Sequence, residues 1–300
     1  MPAVSRRRLL SVAVAAPALA ACGTAPARPA PGADSAAVYD RLDRLEREYD
    51  AQVGVFAADA ATGRAVAHRD GDPFAMCSTF KAYAVARVLQ LAQRGDVDLR
   101  QPVVIDPAKL LPNSPVTESR AGGTMALAEL CAAALQRSDN AAANLLLQTI
   151  GGPSAVTEFA RSIGDDRTRL DRWETDLNTA TPGDPRDTST PRALGEGIQS
   201  LLTATVLGEA QRRQLEDWMR ANVTSTMRAG LPPGWTTADK TGSGAYGSTN
   251  DVGIAYGPDG RRVLLALMTR SASANPVAAP LPALIAEVTR AVLPWLTGTG

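Results

Sequence analysis

From Thr79 to about Arg220 the apolar residues recur at helical spacing, in "TFKAYAVARVLQLAQRG", "TMALAELCAAALQRS", "NAAANLLLQTI", "PSAVTEFARSI", "TPRALGEGIQSLLTATV" and "EAQRRQLEDWMRA". Several of these runs start after Ser, Thr, Asp or Pro, as helix caps and first turns prefer. On either side of that block the period changes. "QVGVFAADAATGRAVAHRD" sets β-branched and apolar residues about a Thr62-Gly63 turn, a hairpin pattern. "GWTTADKTGSG" and "TNDVGIAYGPDGRRVLLALMTRS" return to strands, the second broken by the turn "GPDG". A helical pattern around Val38–Tyr49 precedes the hairpin, and another fills roughly Leu281–Leu296. These periods predict an α/β fold plus an all-α part: an antiparallel sheet flanked by helices, built from both ends of the chain, with a helical domain inserted. The α/β domain takes residues 36–75 and 221–300, and the helical domain residues 76–220. Sites often lie where two such domains meet.

The first residues read as an address. "MPAVSRRRLLSVAVAAPALAAC" joins a cationic start at Arg6, Arg7 and Arg8 to a short apolar run and small residues before Cys22, the layout of an export signal over 1–21. That run is too short to span a membrane as a helix. The paired arginines resemble a twin-arginine signal, and "LAAC" resembles a lipobox whose cysteine is lipidated. The expected location is the outer face of the cytoplasmic membrane, held through Cys22; cleavage after Ala18-Leu19-Ala20 would instead give a secreted or periplasmic protein. The Pro/Ala/Gly-rich stretch over 22–35 reads as a tether.

Composition narrows the chemistry. Of the 300 residues 45% are hydrophobic, enough for a full-sized core, and 31 basic residues balance 31 acidic ones, so no net field draws nucleic acid. Three cysteines, Cys22, Cys77 and Cys131, and one histidine, His68, exclude a disulfide scaffold and disfavour the usual zinc centres. No metal or cofactor is expected.

With so little histidine, a nucleophilic serine needs another base. In "AMCSTFKAYA" Ser78 and Lys81 are three apart at the start of a helical run, so they share a face. A desolvated lysine beside other cations loses its proton near neutral pH and serves as that base. Alone the pair reads as a helix cap and a solvated lysine. Two further stretches change the balance: Ser138-Asp139-Asn140 before an apolar helix, and Lys240-Thr241-Gly242 within a strand-like run, where the glycine lets a ligand approach the backbone.

In that order and at those separations the three motifs resemble those of class A serine β-lactamases and penicillin-binding proteins. The resemblance covers about residues 36–297 and includes "SPVTE", "RLDRWETDLN" and "DKTGSG". It implies a site between the two domains, a small-molecule β-lactam substrate and a monomer. "RLDRWETDLN" separates the hydrolase from its relatives, because Glu174 and Asn178, four apart, share one side of a helical turn and can hold a hydrolytic water. Arg172 and Asp187 resemble the pair closing the family's omega loop.

The resemblance implies that Ser78 attacks the lactam carbonyl, with Lys81, or Glu174 through a water, as base. The N–H groups of Ser78 and Ser243 form the oxyanion hole; Ser138, helped by Lys240, protonates the leaving nitrogen. Asn140 holds the substrate's side-chain amide, and Thr241 and Ser243 its carboxylate. Thr249 stands where many relatives supply an arginine, with Arg228 and Arg270 the nearest candidates. By the resemblance, the disulfide partner that serine carbapenemases give the cysteine beside the nucleophile falls at Gly244, and the family partner of Cys131 falls at Val85, so two free thiols are expected. Competing expectations are a penicillin-binding peptidase or sensor that acylates without turnover, and an exported binding module with a decayed site.

Overall fold

The computed structural model describes residues 33–299. The export signal, Cys22 and the tether lie outside the described residues, except that Ala33, Asp34 and Ser35 already belong to the first helix, α1 (Ala33–Tyr49). A hairpin follows, β1 (Ala51–Asp59) and β2 (Arg64–His68), then the two-residue strand β3 (Phe74–Ala75). The chain continues through α2 (Lys81–Arg94), β4 (Pro102–Val104), α3 (Pro115–Glu118), β5 (Thr124–Ala126), α4 (Leu127–Gln136), α5 (Asn140–Ile150) and α6 (Pro153–Ser162). After a long loop come β6 (Thr188–Ser189), α7 (Pro191–Thr203) and α8 (Glu209–Arg220). Strands β7 (Thr236–Ser243), β8 (Thr249–Tyr256) and β9 (Arg262–Ser271), and the helix α9 (Pro282–Thr297), complete it.

The main sheet is antiparallel, in the order β2-β1-β9-β8-β7. Both of its faces are covered, which is why "VLLALM" in β9 is apolar throughout rather than alternating. Leu265 and Leu267 point toward α1 and α9, where they pack with Leu42, Leu45, Val288 and Val292. Leu264, Ala266 and Met268 point the other way, toward Leu194 and Ile198 of α7 and the helical cluster. The two-residue period of a strand sends alternate side chains to the two cores. Helix α2 runs through the middle of the helical part, with Phe80, Ala82, Tyr83, Val85, Ala86 and Leu89 all fully enclosed. A helix with apolar side chains on every side belongs in the interior. Among the described residues no helix is long and apolar enough to cross a membrane.

Three local expectations are corrected. Thr124–Ala126 is not the start of a helix but a strand paired with Pro102–Val104, a partner outside the reach of local periodicity. Ser78 sits on a 3-10 turn, Cys77–Phe80, that leads into α2. Glu174 and Asn178 do not share an α-helical turn either; Asn178 lies on a 3-10 turn, Asp176–Thr179, with Glu174 before it.

Candidate active site

The strand β3 and the turn after it present Ser78. Cys77 takes φ 48°, in the left-handed region, and a single 3-10 turn then carries the chain into α2. Because a 3-10 helix repeats every three residues, Ser78 and Lys81 still share a face. Asn250 on β8 holds this corner, its Nδ2 donating to Ala75 O (2.8 Å) and Met76 O (3.0 Å). Strand β7 crosses so close that a Cβ on Gly242 would stand 2.6 Å from Met76 O and 3.1 Å from Ser78 N. The N–H of Ser78 lies in the first turn of its helix, where such groups have no intrahelical acceptor.

Below the serine, two buried lysines converge on Ser138. Lys81 Nζ donates to Ser138 O (2.8 Å) and Asn140 Oδ1 (2.7 Å), and lies 3.0 Å from Glu174 Oε1. Lys240 Nζ donates to Ser138 Oγ (3.0 Å) and Thr241 O (2.8 Å). Ser138 itself has φ 55°, which turns its hydroxyl and its carbonyl toward these ammonium groups. Asn140 also donates from Nδ2 to Pro112 O (2.9 Å), leaving one hydrogen and one lone pair for a ligand. Asp139 is structural: it caps α5 through Ala142 N (2.9 Å) and holds Thr117 and Val116.

On the opposite side, Glu174 Oε1 accepts from Ser78 Oγ (3.3 Å) and Oε2 from Asn178 Nδ2 (2.6 Å). The loop that carries them is tied down by side chains. Arg172 pairs with Asp187, whose Oδ1 also accepts from Asp171 N (2.7 Å) and Arg172 N (2.9 Å). Asn144 grips Glu174 at both backbone groups, 3.0 Å to its carbonyl and 3.0 Å to its N–H. Sequence reasoning passed over Asn144; its signal is a polar residue four positions after Asn140, set between Ala143 and Leu145 in an apolar run, which must find a partner there.

Between these sides lies a cleft of about 310 Å³, lined by Ser78, Ser138, Asn140, Asn178, Thr241 and Ser243, with Asn113, Thr224 and Thr226 at its edges. The structure thus brings the named site residues together, with Lys81, Lys240 and Glu174 packed against this group. Thr224, also passed over, lies 2.5 Å hydroxyl to hydroxyl from Thr241. Thr249 lines the cleft, but its Oγ1 is engaged by Gly247 O (3.0 Å) and Leu281 N (2.8 Å). Arg228 donates to Thr237 Oγ1 (2.6 Å) and Asn222 O (2.5 Å), and Arg270 to Gln52 (3.0 Å), so neither is in the cleft.

Burial governs the electrostatics. It pushes Lys81 below the usual lysine range, opposed by the adjacent Glu174 carboxylate. Burial, then the charge of Lys81, brings Lys240 down to about 7. On β8, burial and the neighbouring Asp239 hold the Asp251 carboxyl well above the usual carboxylate range. Asp251 Oδ2 accepts from Thr226 N (2.7 Å) and Met227 N (2.8 Å), fixing the segment that carries Thr224.

Cys77 and Cys131 are buried free thiols, pushed up by burial. A Cβ on Gly244 would stand 2.7 Å from Cys77 Sγ. Asp43, Glu46 and His68 gather at the opposite edge of the sheet, where Glu46 is taken by Arg69 (2.7 and 3.0 Å) and Val53 N (2.8 Å).

This arrangement agrees with known proteins. The model of the β-lactamase enzyme family matches residues 37–296. The β-lactamase AST-1 of Nocardia asteroides is 45% identical over 296 residues, 96% of this chain and 95% of that protein. A solved β-lactamase from Desulfarculus baarsii is 46% identical with a TM-score of 0.84, covering 88% of this chain and 99% of that one. A variant of the last common ancestor of Gram-negative bacteria β-lactamase class A is 44% identical, with a TM-score of 0.83 over 88% of this chain and all of that one (100%). The chain belongs to the β-lactamase enzyme family, and it is a class A serine enzyme of that family.

Proposed function

We propose that the protein hydrolyses the β-lactam amide bond of penicillin- and cephalosporin-type antibiotics through an acyl-enzyme on Ser78, and so confers resistance to them. The observation that carries this reading is Glu174: a buried carboxylate within hydrogen-bond reach of the Ser78 hydroxyl, its other oxygen held by Asn178. A sensor that only acylates has no use for a base so placed.

In the first half Ser78 Oγ attacks the carbonyl carbon and yields its proton to Lys81 or Glu174. The N–H groups of Ser78 and Ser243 stabilise the oxyanion. The C–N bond breaks as Ser138 gives its proton to the departing nitrogen, and the Lys81–Ser138–Lys240 chain of hydrogen bonds replenishes it. Asn140 meets the substrate's side-chain amide, and Thr241 and Ser243 its carboxylate. In the second half Glu174 takes a proton from water, which attacks the ester; the C–O bond breaks and Ser78 regains its proton. A chromogenic cephalosporin tests the reading directly. Catalytic turnover is expected; a single stoichiometric burst would indicate a sensor, and no reaction a binding module.

Export by the twin-arginine route, lipidation of Cys22 and action as a monomer complete the proposal. Arg6, Arg7 and the "LAAC" stretch support it. Replacing Arg6 and Arg7 by Lys blocks export on this account. Cys22→Ala releases the protein from membranes; a Cys22→Ala chain still bound to membranes would refute the anchor.

A further inference from the structure

We propose that Tyr83 is a positioning residue for deacylation, its hydroxyl tying the helix that carries Lys81 to the neck of the loop that carries Glu174. The assignment rests on the β-lactam hydrolysis proposed above. Tyr83 lies on α2, two residues after Lys81, and is fully buried. Its ring stands edge-on to Phe159 of α6, with 6.0 Å between centroids. Packing against Phe159 needs only a ring, whereas a hydroxyl carried into this core needs a partner as well. The room for that hydroxyl is made by Gly197 on α7, where a Cβ would stand 1.7 Å from it. Glycine weakens the interior of a helix, so Gly197 is matched to the tyrosine it faces.

The partner is Asp165, to whose Oδ2 the Tyr83 hydroxyl donates (2.8 Å). Burial, then the charge of Asp165, pushes the hydroxyl well above its usual range, so it stays a donor. Asp165 is the knot at the neck of the loop. Its Oδ1 accepts from Arg167 N (3.0 Å) and Thr168 N (2.8 Å), and its Oδ2 also accepts from the Thr168 hydroxyl. Thr168 in turn meets the Ser189 hydroxyl at 2.6 Å. Tyr83, Asp165, Thr168 and Ser189 are all buried.

This chain of contacts gathers three parts of the site. Thr168 stands where the loop begins and Ser189 where it ends, and Arg169 N closes the neck on Thr188 O (3.0 Å). Ser189 pairs with Phe74 of β3, the strand that leads to the Ser78 turn. Through Tyr83 the neck is also fixed to α2. Glu174 lies 3.3 Å from Ser78 Oγ and 3.0 Å from Lys81 Nζ, distances that depend on how the loop is placed against that helix. A positioned base is sensitive to shifts well under an ångström. Ser78, Lys81, Ser138 and Lys240 stand outside the loop, so the first half of the reaction should not feel the neck in the same way.

The experiment measures acylation and deacylation separately, by burst kinetics with a chromogenic cephalosporin and by intact-mass spectrometry with penicillin, well below each variant's melting temperature. In Tyr83→Phe, which keeps the ring, deacylation should fall roughly 10-fold, the scale of one hydrogen bond to a charged group. Acylation should be little changed, and an adduct on Ser78 should become visible. Ser189→Ala, which cuts the same chain at its other end, should give the same split, and the double variant should lose less than the two single losses combined. Phe159→Leu is the control: it disturbs the Tyr83 ring and lowers the melting temperature without touching the hydroxyl, and should leave the ratio of the two rates unchanged. Equal slowing of both steps in Tyr83→Phe, an unchanged ratio, or the same change of ratio in Phe159→Leu would overturn the assignment and leave the network a purely structural one. A wild type that forms neither adduct nor product would overturn the hydrolase reading beneath it, and this assignment with it.

Discussion

Ser78 has a helix-and-strand side and a loop side. Ser138 and Lys240 stand on the turn before α5 and on β7, inside regular structure whose backbone bonds hold them. Glu174 and Asn178 stand on a long loop held by a few side-chain contacts, chiefly Arg172 with Asp187 and Asn144 with the Glu174 backbone. On the proposed mechanism the first side protonates the leaving nitrogen and is set by buried charge, and the second activates water and is set by how firmly the loop is held. The two halves of the reaction should therefore fail for different reasons.

Ser78→Ala, the largest effect, removes both halves. Turnover and covalent labelling by penicillin should disappear while stability shifts by no more than about 1 kcal/mol, seen in a melting curve beside the assay. Undiminished hydrolysis would end the account.

Loosening the loop should separate the halves. Asp187→Ala leaves Arg172 and two backbone N–H groups without their acceptor. Breaking a buried pair of this kind costs about 3–5 kcal/mol. Burst kinetics should show deacylation slowed more than acylation; equal slowing would mean that both sides depend on the loop.

The lysine side should respond to pH. The Lys240 ammonium titrates at about 7 in the folded protein against 10.5 for an ordinary lysine. Since kcat/KM reports the free enzyme, its value for carboxylate substrates should fall as pH rises through about 7, and Lys240→Arg should move that limb upward. The stability effect has the opposite sign: across that window the unfolded chain binds more protons than the folded one, so this lysine adds stability as pH rises. A profile that Lys240→Arg leaves unmoved would contradict the assignment.

The smallest effect is on β8. Asp251, whose carboxyl burial and Asp239 hold well above the usual carboxylate range, should tolerate Asn within about 1 kcal/mol, because the amide oxygen can still accept from Thr226 N and Met227 N. Asp251→Ala should cost about 1–3 kcal/mol by stripping the Thr226 and Met227 N–H groups of their acceptor. Equal melting temperatures for the two variants would dismiss this acceptor role.

Much of this was legible in the sequence because it is local. The turns at Thr62-Gly63 and "GPDG", the apolar run of β9 and the three-residue spacing of Ser78 and Lys81 depend on near neighbours, and that spacing survives the change from α-helix to 3-10 turn. What was missed depends on partners far along the chain. Asn144 has its role only because the loop folds back to offer Glu174. Thr224 faces Thr241 only because Asp251 fixes the segment before β7, and Thr124–Ala126 becomes a strand only beside Pro102–Val104.

The central claim is that Glu174 serves water activation above all, and intact-mass spectrometry of Glu174→Ala with penicillin tests it most directly. Removing the carboxylate also removes the charge that raises Lys81, so burial lowers the amine further and favours its taking the Ser78 proton. Acylation should persist while deacylation falls by roughly 10²–10⁴-fold, the usual loss of a positioned base. The adduct on Ser78 should then last for minutes, against almost none in the wild type. Hydrolysis at the wild-type rate with no lasting adduct would contradict the account, and so would a variant that never acylates.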